Sequence, residues 1–209
     1  MADTTRDSSR KSVFREYAEA IIVALVLALL IRTFVVQAFK IPSGSMEPTL
    51  LIGDHLLVNK FTYGVRNPFN GEVWISLQEP ARYDVVVFRY PRNPSQDYIK
   101  RIIGLPGETV EIRDKKVYID GEPLDDPRAV FRDDDILPPS RQPRDNFGPV
   151  TVGPDELFTL GDNRDNSHDG RFWGMVETTA LRGKAFVLYW SWDREETGVR
   201  WNRLGQRIE

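Results

Sequence analysis

A serine-rich turn contains the first side chains in this sequence that can do covalent chemistry. The segment IPSGSMEPTL runs from Ile41 to Leu50 and includes Ser43 and Ser45. Its proline and glycine predict a tight, rigid turn, which would hold a serine hydroxyl and adjacent backbone N–H groups in fixed directions. Acyl transfer needs a positioned nucleophile, with donors preset where the oxyanion forms. Most Ser-Gly-Ser turns are plain loops, so this motif indicates catalysis only together with a base.

A lysine in the segment YIKRIIGLPG is the candidate base. On a strand, Tyr98, Lys100 and Ile102 lie on one face, which places the ammonium group between an aromatic and an aliphatic neighbour. A free lysine has a pKa of about 10.4, and burial in apolar surroundings lowers that pKa by several units. A desolvated Lys100 would therefore supply a neutral amine. The alternative is a solvated lysine on an ordinary strand.

The third motif is the polar loop GDNRDNSHDGR, which follows a predicted strand, LFTL. Within it, Asp169 and Arg171 are expected to pair and brace the loop, and Ser167 to hydrogen-bond a buried amine. The alternatives are an exposed turn or a carboxylate loop for calcium. The spacing of Asp162, Asp165 and Asp169 does not match an EF-hand. We therefore expect no metal site here.

Composition narrows the chemistry further. Cysteine is absent from the 209 residues, which excludes disulfides, thiolate metal sites and cysteine nucleophiles. Only His55 and His168 are available for histidine relays. The formal charge of −3 shows no basic excess, so a nucleic-acid partner is not expected. No cofactor is implied, and the catalytic groups must come from Ser, Lys, Asp, Glu or Tyr.

An apolar segment precedes these motifs. Residues 20–39 contain the run AIIVALVLALLI, then Arg32 and TFVVQAF, which is long enough for a helix to cross a hydrocarbon core of about 30 Å. The cations before it, Arg6, Arg10, Lys11 and Arg15, predict a cytoplasmic N-terminus. We thus expect a cytoplasmic tail at 1–19, a transmembrane anchor at 20–39 and an extracytoplasmic domain at 40–209. The alternatives are a signal peptide cleaved after Ala38, a buried helix or an interfacial helix.

The rest of the chain has short apolar or alternating runs separated by Gly, Pro, Asn and Asp. This pattern predicts a mainly β fold, an extracytoplasmic all-β catalytic domain of hairpins and bent strands with one N-terminal transmembrane α-helix. The segment EIRDKKVYIDGE predicts a hairpin with a charged turn. Residues 125–149, rich in Asp, Pro and Arg, are expected to form an exposed insertion or mobile loop.

The three motifs, in this order, resemble those of the bacterial type I signal peptidases, a family of serine/lysine endopeptidases with a mainly β catalytic domain outside the membrane. The match extends from about Ile41 to the final WSWDREETGVRWNRLG. In this family the serine before Met in S-G-S-M is the nucleophile, which assigns that role to Ser45. The lysine of Y-I-K-R is the general base, here Lys100. Archaeal and endoplasmic-reticulum relatives carry histidine instead, so Lys100 indicates the bacterial type.

The resemblance also implies supporting residues. Ser43 would help the Ser45 backbone N–H to bind the oxyanion, Tyr98 would shape the surroundings of the lysine, and Ser167 would orient it. Three further loop residues would support the site: Asp162, Asp169 and Arg171. The family assigns no role to His168. Some members have two membrane segments where only one is evident here, and the insertion at 125–149 is short compared with the larger members.

As an expectation, the resemblance describes a membrane-bound endopeptidase that removes N-terminal signal peptides from exported preproteins through a Ser-Lys dyad and an acyl-enzyme. Its partners would be signal peptides with small residues before the cut, commonly Ala-X-Ala, and the lipid bilayer. The expected location is the bacterial inner membrane, as a single-pass monomer with its catalytic domain in the periplasm. Some apolar residues are equally compatible with contact to the bilayer surface or packing in the core: Met46, Leu50, Leu51, Ile52 and some of the five tryptophans.

Two other functions fit parts of the sequence. A Ser-His-Asp hydrolase would use His55 or His168, but Asp169 directly follows His168, and neighbours on an extended chain point apart. A membrane-tethered β module that binds exported chains without cutting them would make the serine and lysine motifs coincidental. Labelling of Ser45 by a serine-reactive acylating inhibitor separates this second function from the protease.

Overall fold

A computed structural model describes residues 13–66 and 73–209 of the chain. Three of the cations that predict the orientation of the N-terminus, Arg6, Arg10 and Lys11, lie outside these residues. The helices are α1 (Val13–Leu30) and α2 (Gly170–Trp173). The strands are β1 (Val36–Lys40), β2 (Asp54–Asn59), β3 (Val65–Arg66), β4 (Val73–Ile75), β5 (Val85–Tyr90), β6 (Asn93–Gly104), β7 (Thr109–Arg113), β8 (Lys116–Ile119), β9 (Glu122–Pro123), β10 (Phe147–Thr151), β11 (Glu156–Leu160), β12 (Val176–Glu177), β13 (Leu181–Asp193) and β14 (Gly198–Val199). The mainly β fold with one N-terminal helix is confirmed.

The apolar segment at 20–39 is helical only in part. Helix α1 ends at Leu30 and continues as one π-helical turn, Ile31–Val35, after which β1 begins. The expectation of a helix through residue 39 is therefore wrong for its last residues, because the backbone of β1 pairs with β2 instead. Valine and phenylalanine fit a strand as well as a helix. Among the described residues, no helix has the length and apolar character needed to cross a membrane.

The main sheet positions the candidate site. It is antiparallel, with strand order β1-β2-β13-β5-β6-β11-β12, and β14 pairs with β13. The serine turn follows β1 and returns to β2, and its base is closed by two backbone hydrogen bonds, Ile41 N–H to Asp54 C=O at 2.8 Å and Gly53 N–H to Ile41 C=O at 3.0 Å. The lysine lies on β6, in the interior of the sheet order.

The serine turn is seated by its apolar residues. Met46 and Leu50 are fully buried and belong to the same hydrophobic core as Leu56 and Leu188. Ile52 is 41% exposed. Burial of a leucine or methionine side chain is worth roughly 1.5 to 3 kcal/mol. Packing of these side chains therefore fixes the turn on the sheet, while Pro42, Ser43 and Pro48 face solvent.

The predicted hairpin is present as β7 and β8, joined by Asp114 and Lys115. Both turn residues have positive φ, 47° and 69°, the backbone that two-residue hairpin turns require. These strands belong to a second sheet of order β10-β7-β8-β9. Many residues of the stretch 125–149 are exposed, but Arg144 and Asp145 within it are buried. It is thus attached to the rest of the domain.

Candidate active site

Ser45 and Lys100 meet in a buried contact. The Lys100 ammonium donates hydrogen bonds to Ser45 Oγ at 2.7 Å and to the carbonyl of Ile99 at 2.9 Å. Lys100 is 3% exposed and Ser45 9%. The two side chains are 55 positions apart in the sequence; Ser45 lies on the turn between β1 and β2, and Lys100 lies on β6 of the same sheet. A hydroxyl and an amine at this distance are within proton-transfer reach.

The surroundings of Lys100 favour its neutral form. Burial is the largest influence and lowers the pKa of Lys100, and the Arg171 guanidinium lowers it further. The carboxylates of Asp169 and Asp162 act in the opposite direction but do not cancel the effect of burial, and the pKa falls from 10.5 to about 8. At neutral to mildly basic pH, an appreciable fraction of Lys100 is thus an unprotonated amine able to accept a proton.

Aromatic rings form one wall around the lysine. The Tyr98 ring centroid lies 5.8 Å from Lys100 Nζ. Tyr98 stacks on Tyr90 at 4.5 Å between centroids and meets Trp173 edge to face at 5.3 Å. These rings limit the access of water, which explains part of the desolvation of the amine. As predicted for a strand, Tyr98 and Lys100 lie on the same β6 segment, two positions apart.

Asp162 connects the polar loop to β6. Its carboxylate accepts hydrogen bonds from Arg101 at 2.8 and 2.7 Å and from the Thr49 hydroxyl at 2.6 Å. Arg101 also donates to the carbonyls of Tyr83 and Glu209. Arg101 and Asp162 are fully buried. A planar guanidinium that holds a carboxylate by two bonds fixes both position and orientation, so the loop and the strand that carries Lys100 are joined rigidly.

Asp169 and Arg171 form the pair that the sequence indicated. Arg171 donates to both oxygens of Asp169, each at 2.8 Å, and to the carbonyls of Arg144 and Arg164 at 2.6 and 2.7 Å. Burial is the largest single influence and raises the pKa of Asp169, but the Arg171 charge, together with hydrogen bonds from Arg171 and Gly161 and the nearby Ser167 hydroxyl, holds that pKa below its usual value. The pair is therefore ionised, and it also fastens residues 125–149 to the loop.

Ser167 and Ser43 are placed differently from each other. Ser167 is buried, and within the described residues its Oγ has no hydrogen-bond partner of good geometry, although it lies near the Asp169 carboxylate. Ser43 is exposed at the edge of the cleft that contains Ser45. The polar loop can approach the serine turn closely because residue 161 is a glycine. A Cβ at this position would lie 2.4 Å from the Ser45 carbonyl oxygen and 2.2 Å from Ser167 Oγ.

Asn163 was not identified from the sequence. Its backbone N–H donates to the Ser45 carbonyl at 3.2 Å, and its side-chain Nδ2 donates to the Gly44 carbonyl at 3.0 Å. Arg101 and Thr49 were missed as well. Arginine is mostly exposed in proteins, so its position on a predicted strand does not indicate burial, and an asparagine inside a polar loop carries no signal for a contact with a distant turn.

An open cleft of about 650 Å³ gives access to the pair. One side is formed by β6 residues Asp97, Tyr98 and Ile99. In the described part of the chain β11 pairs only with the Arg101–Gly104 end of β6, so this edge has no strand beside it. His168 also lines the cleft, resting against the rings of Phe172 and Trp173, whereas His55 lies on β2 near Tyr189. Peptide groups on a free strand edge can pair with an extended peptide.

The three loop carboxylates do not converge. Asp162 faces Arg101, Asp169 faces Arg171, and Asp165 pairs with Lys115 at 3.1 Å. Over residues 13–66 and 73–209, no three acidic or histidine side chains are grouped as a metal site. The carboxylates act as partners for cations of the protein.

Comparison with known proteins decides the family. The family model described as signal peptidase, peptidase S26, matches residues 14–190. The chain belongs to the signal peptidase family. Signal peptidases I from Pseudomonas fluorescens and Pseudomonas aeruginosa are each 36% identical to it over 214 residues, covering 88% of this chain and 75% of the relative.

A signal peptidase I from Leptolyngbya laminosa is 40% identical over 190 residues, covering 88% of this chain and 83% of the relative. The crystal structure of a signal peptidase I from Enterococcus faecalis V583 is 33% identical and has a TM-score of 0.42, covering 52% of this chain and 98% of that chain. As a member of the signal peptidase family the chain is a serine endopeptidase, and membership supports the cleavage of signal peptides.

Proposed function

We propose that this signal peptidase removes N-terminal signal peptides from exported preproteins at the membrane, with Ser45 as nucleophile and Lys100 as general base. The observation that carries the proposal is the 2.7 Å contact between Lys100 Nζ and Ser45 Oγ in a buried site. Burial supplies the base, because it lowers the pKa of Lys100 to about 8. The open cleft supplies access for a peptide.

In the acylation step, the neutral Lys100 amine accepts the Ser45 hydroxyl proton as Oγ forms a bond to the scissile carbonyl carbon. The carbonyl oxygen becomes an oxyanion, which the Ser45 backbone N–H and the Ser43 hydroxyl would stabilise. The intermediate collapses as the C–N bond breaks, and the Lys100 ammonium gives its proton to the leaving amine. The signal peptide remains attached to Ser45 as an ester.

In the deacylation step, Lys100 accepts a proton from water as the water oxygen attacks the ester carbonyl. Collapse of the second tetrahedral intermediate breaks the bond to Ser45 Oγ, which recovers its proton from Lys100. The free carboxyl end of the signal peptide leaves the cleft. Both half-reactions use one base and one oxyanion site, so no cofactor enters the scheme.

The remaining polar residues would support this dyad without contacting the scissile bond. Tyr98 would exclude water from Lys100, and Asp162 would fix the loop against β6 through Arg101. Asp169 and Arg171 would hold the shape of the loop, which carries Ser167 close to the Ser45 carbonyl. Ser167 would orient Lys100, as the family resemblance implies.

The substrate would bind as an extended strand along the free edge of β6 beside Asp97–Ile99. Backbone hydrogen bonds to a sheet edge give affinity with little dependence on sequence. The resemblance implies small residues, commonly Ala-X-Ala, before the cut. This mode fits a peptidase that accepts many signal peptides differing in most side chains.

The N-terminal segment would attach the enzyme to the membrane. Apolar side chains of α1 such as Ile22, Leu25 and Leu29 are exposed, as expected for a helix surrounded by lipid. We propose a tail at 1–19 in the cytoplasm and an anchor in the 20–39 segment, whose helical part ends at Val35. The peptidase domain would face the periplasm from the bacterial inner membrane, as a monomer.

The test is cleavage of a purified preprotein in detergent or lipid by the wild type, Ser45→Ala and Lys100→Ala, each shown to be folded by circular dichroism. Both variants should be inactive, and a serine-reactive acylating inhibitor should label the wild type at Ser45. Normal cleavage at the same site by either variant would overturn the dyad. Binding of the preprotein without cleavage by the wild type would favour a tethered binding module.

A further inference from the structure

We infer that Asn163 is a positioning residue for the oxyanion site, which it acts on by fixing the peptide unit between Gly44 and Ser45. The inference rests on the proposed acyl-transfer function, in which the Ser45 N–H is an oxyanion donor. Asn163 borders the cleft, but its hydrogen bonds to the serine turn go to the Gly44 and Ser45 carbonyls and not to the Ser45 hydroxyl.

The geometry of a peptide unit makes the connection. The Gly44 carbonyl and the Ser45 N–H belong to one planar unit, and in a trans peptide these two groups point in opposite directions. The Gly44–Ser45 bond is trans, since the cis bonds of the described chain are Glu47-Pro48 and Gly148-Pro149. Asn163 Nδ2 holds the Gly44 carbonyl oxygen at 3.0 Å. Fixing the oxygen therefore fixes the direction of the Ser45 N–H on the opposite side.

A second bond from the same residue fixes the other side of Ser45. The Asn163 backbone N–H donates to the Ser45 carbonyl at 3.2 Å. Asn163 thus donates hydrogen bonds to the Gly44 carbonyl and to the Ser45 carbonyl, which lie on either side of the Ser45 Cα. The peptide plane that carries the Ser45 N–H cannot rotate without breaking one of these bonds. A carbonyl that accepts a hydrogen bond also polarises its own peptide, which strengthens the N–H as a donor.

Asn163 is itself held on both sides. Its neighbours Asp162 and Arg164 form buried ion pairs with Arg101 and Asp126, and its backbone forms a bridge with Val130. The Asn163 side chain is buried as well. Its amide oxygen lies 3.5 Å from Asn166 Nδ2, which agrees with Nδ2 facing Gly44. These contacts make Asn163 a fixed reference for the turn.

Stability and positioning can be separated at this residue. The Gly44 carbonyl also accepts the Glu47 N–H at 3.1 Å, so truncation of Asn163 does not leave that oxygen without a partner. The predicted loss is in the orientation of the Ser45 N–H. This loss weakens the stabilisation of the transition state, in which negative charge develops on the oxyanion. Loss of a complete oxyanion donor costs about 100- to 1000-fold in kcat. Misdirection of a retained donor should cost less, roughly 10- to 100-fold.

The experiment compares the full-length wild type with Asn163→Ala, Asn163→Asp and the matched control Asn146→Ala. Asn146 also bridges backbone groups of two loops, accepting from Asp114 N–H and donating to the Leu137 carbonyl. We would measure kcat and KM for a preprotein against pH, together with the urea midpoint of unfolding. Asn163→Ala should lower kcat about 10- to 100-fold, with KM within about threefold and the pH inflection unmoved.

Asn163→Asp keeps the volume but replaces the donor with an oxygen that repels the Gly44 carbonyl. Its kcat should fall at least as far, and its added negative charge should move the pH inflection upward. The control should retain the wild-type kcat. A folded Asn163→Ala enzyme with kcat within twofold of the wild type overturns the inference, and so does an equal fall of kcat in the control. If Ser45→Ala remains active, it is the proposed function that fails; if Ser45→Ala is dead and Asn163→Ala is normal, only the inference does.

Discussion

Arg101 and Asp162 form a fully buried bidentate ion pair, with hydrogen bonds of 2.8 and 2.7 Å, directly next in sequence to Lys100 and Asn163 respectively. Successive side chains of a strand point to opposite faces, so β6 directs Lys100 to Ser45 and Arg101 to the polar loop. Asn163, on that loop, donates in turn to the Gly44 carbonyl of the serine turn. Lys100, Ser45 and the polar loop are thereby connected in a closed ring of contacts.

Asp162→Ala should destabilise the protein strongly. The substitution leaves the Arg101 charge buried without its carboxylate, and breaking such a pair costs about 3 to 5 kcal/mol. Urea unfolding of the full chain, followed by tryptophan fluorescence, measures the loss. Glu111→Ala is the control, because the Glu111–Arg113 pair is 3.4 Å long and exposed, and such a pair contributes at most about 1 kcal/mol. Equal unfolding midpoints for the two variants would contradict the role assigned to the ring.

The pH dependence of kcat/KM should follow the titration of Lys100. Burial lowers the pKa of Lys100 to about 8, and only the unprotonated amine accepts the Ser45 proton. Activity should rise about tenfold per pH unit below this value and level off above it. Steady-state cleavage of a signal-peptide substrate between pH 6 and 10 measures the curve. A profile that is flat across pH 8 would rule out an amine base with this pKa.

Lys100→Met should inactivate the enzyme and stabilise it at neutral pH. The folded-state pKa of about 8 lies below the unfolded value of 10.5, so between these values the unfolded chain binds more protons, and the free energy of unfolding of the wild type rises with pH. The penalty is complete below pH 8 and vanishes above pH 10.5. At pH 7 the variant should gain roughly 1 to 3 kcal/mol.

The same urea titrations at pH 7 and pH 10 measure this effect. The gain of Lys100→Met over the wild type should shrink at the higher pH, since most of the penalty is lost between the folded pKa of about 8 and pH 10. A gain that is independent of pH would indicate a packing effect of methionine rather than removal of a buried charge.

The histidines should not account for the pH inflection. Burial, together with the nearby cations Arg92 and Lys100, holds the pKa of His168 below 6.5, so its ring is already neutral where Lys100 titrates. His168→Ala should leave the inflection near pH 8 in place, and His55→Ala, altered outside the cleft, should also retain kcat. Loss of activity by several orders of magnitude in either variant would favour a Ser-His-Asp mechanism.

Features of the fold and the site could be predicted where they depend on the type of a side chain or on the alternation of apolar and polar residues along a short segment. The alternation around Asp114 and Lys115 predicted the β7–β8 hairpin, and the strand pattern put Tyr98 and Lys100 on one face. The Asp169–Arg171 pair follows from opposite charges two positions apart in a polar loop. The meeting of Ser45 with Lys100 came from the family resemblance, because no local pattern reports a contact between distant segments.

The parts that could not be predicted depend on tertiary pairing. The sequence VVQAF is mostly apolar and is compatible with a helix or a strand, and only the backbone partners on β2 make Val36–Lys40 a strand. The burial of Arg144 and Asp145 was hidden because charged residues usually indicate an exposed loop. Asn163 acts mainly on backbone carbonyls, and the position of a carbonyl is set by the fold rather than by the type of residue that carries it.

The direct passage from helix to sheet has a mechanical consequence. Val35 ends the helical segment, and its carbonyl accepts the Lys60 N–H at 2.9 Å. Lys60 Nζ also donates to the carbonyls of Arg32 and Thr33. The helical segment ends at Val35 and β1 begins at Val36, so no flexible linker lies between them. Ser45 follows five residues after β1 ends at Lys40. A change in the direction of the helix would therefore be passed on to β1 and to the serine turn, and if the helix is held in a bilayer, as proposed, this connection would fix the distance of Ser45 from the membrane surface.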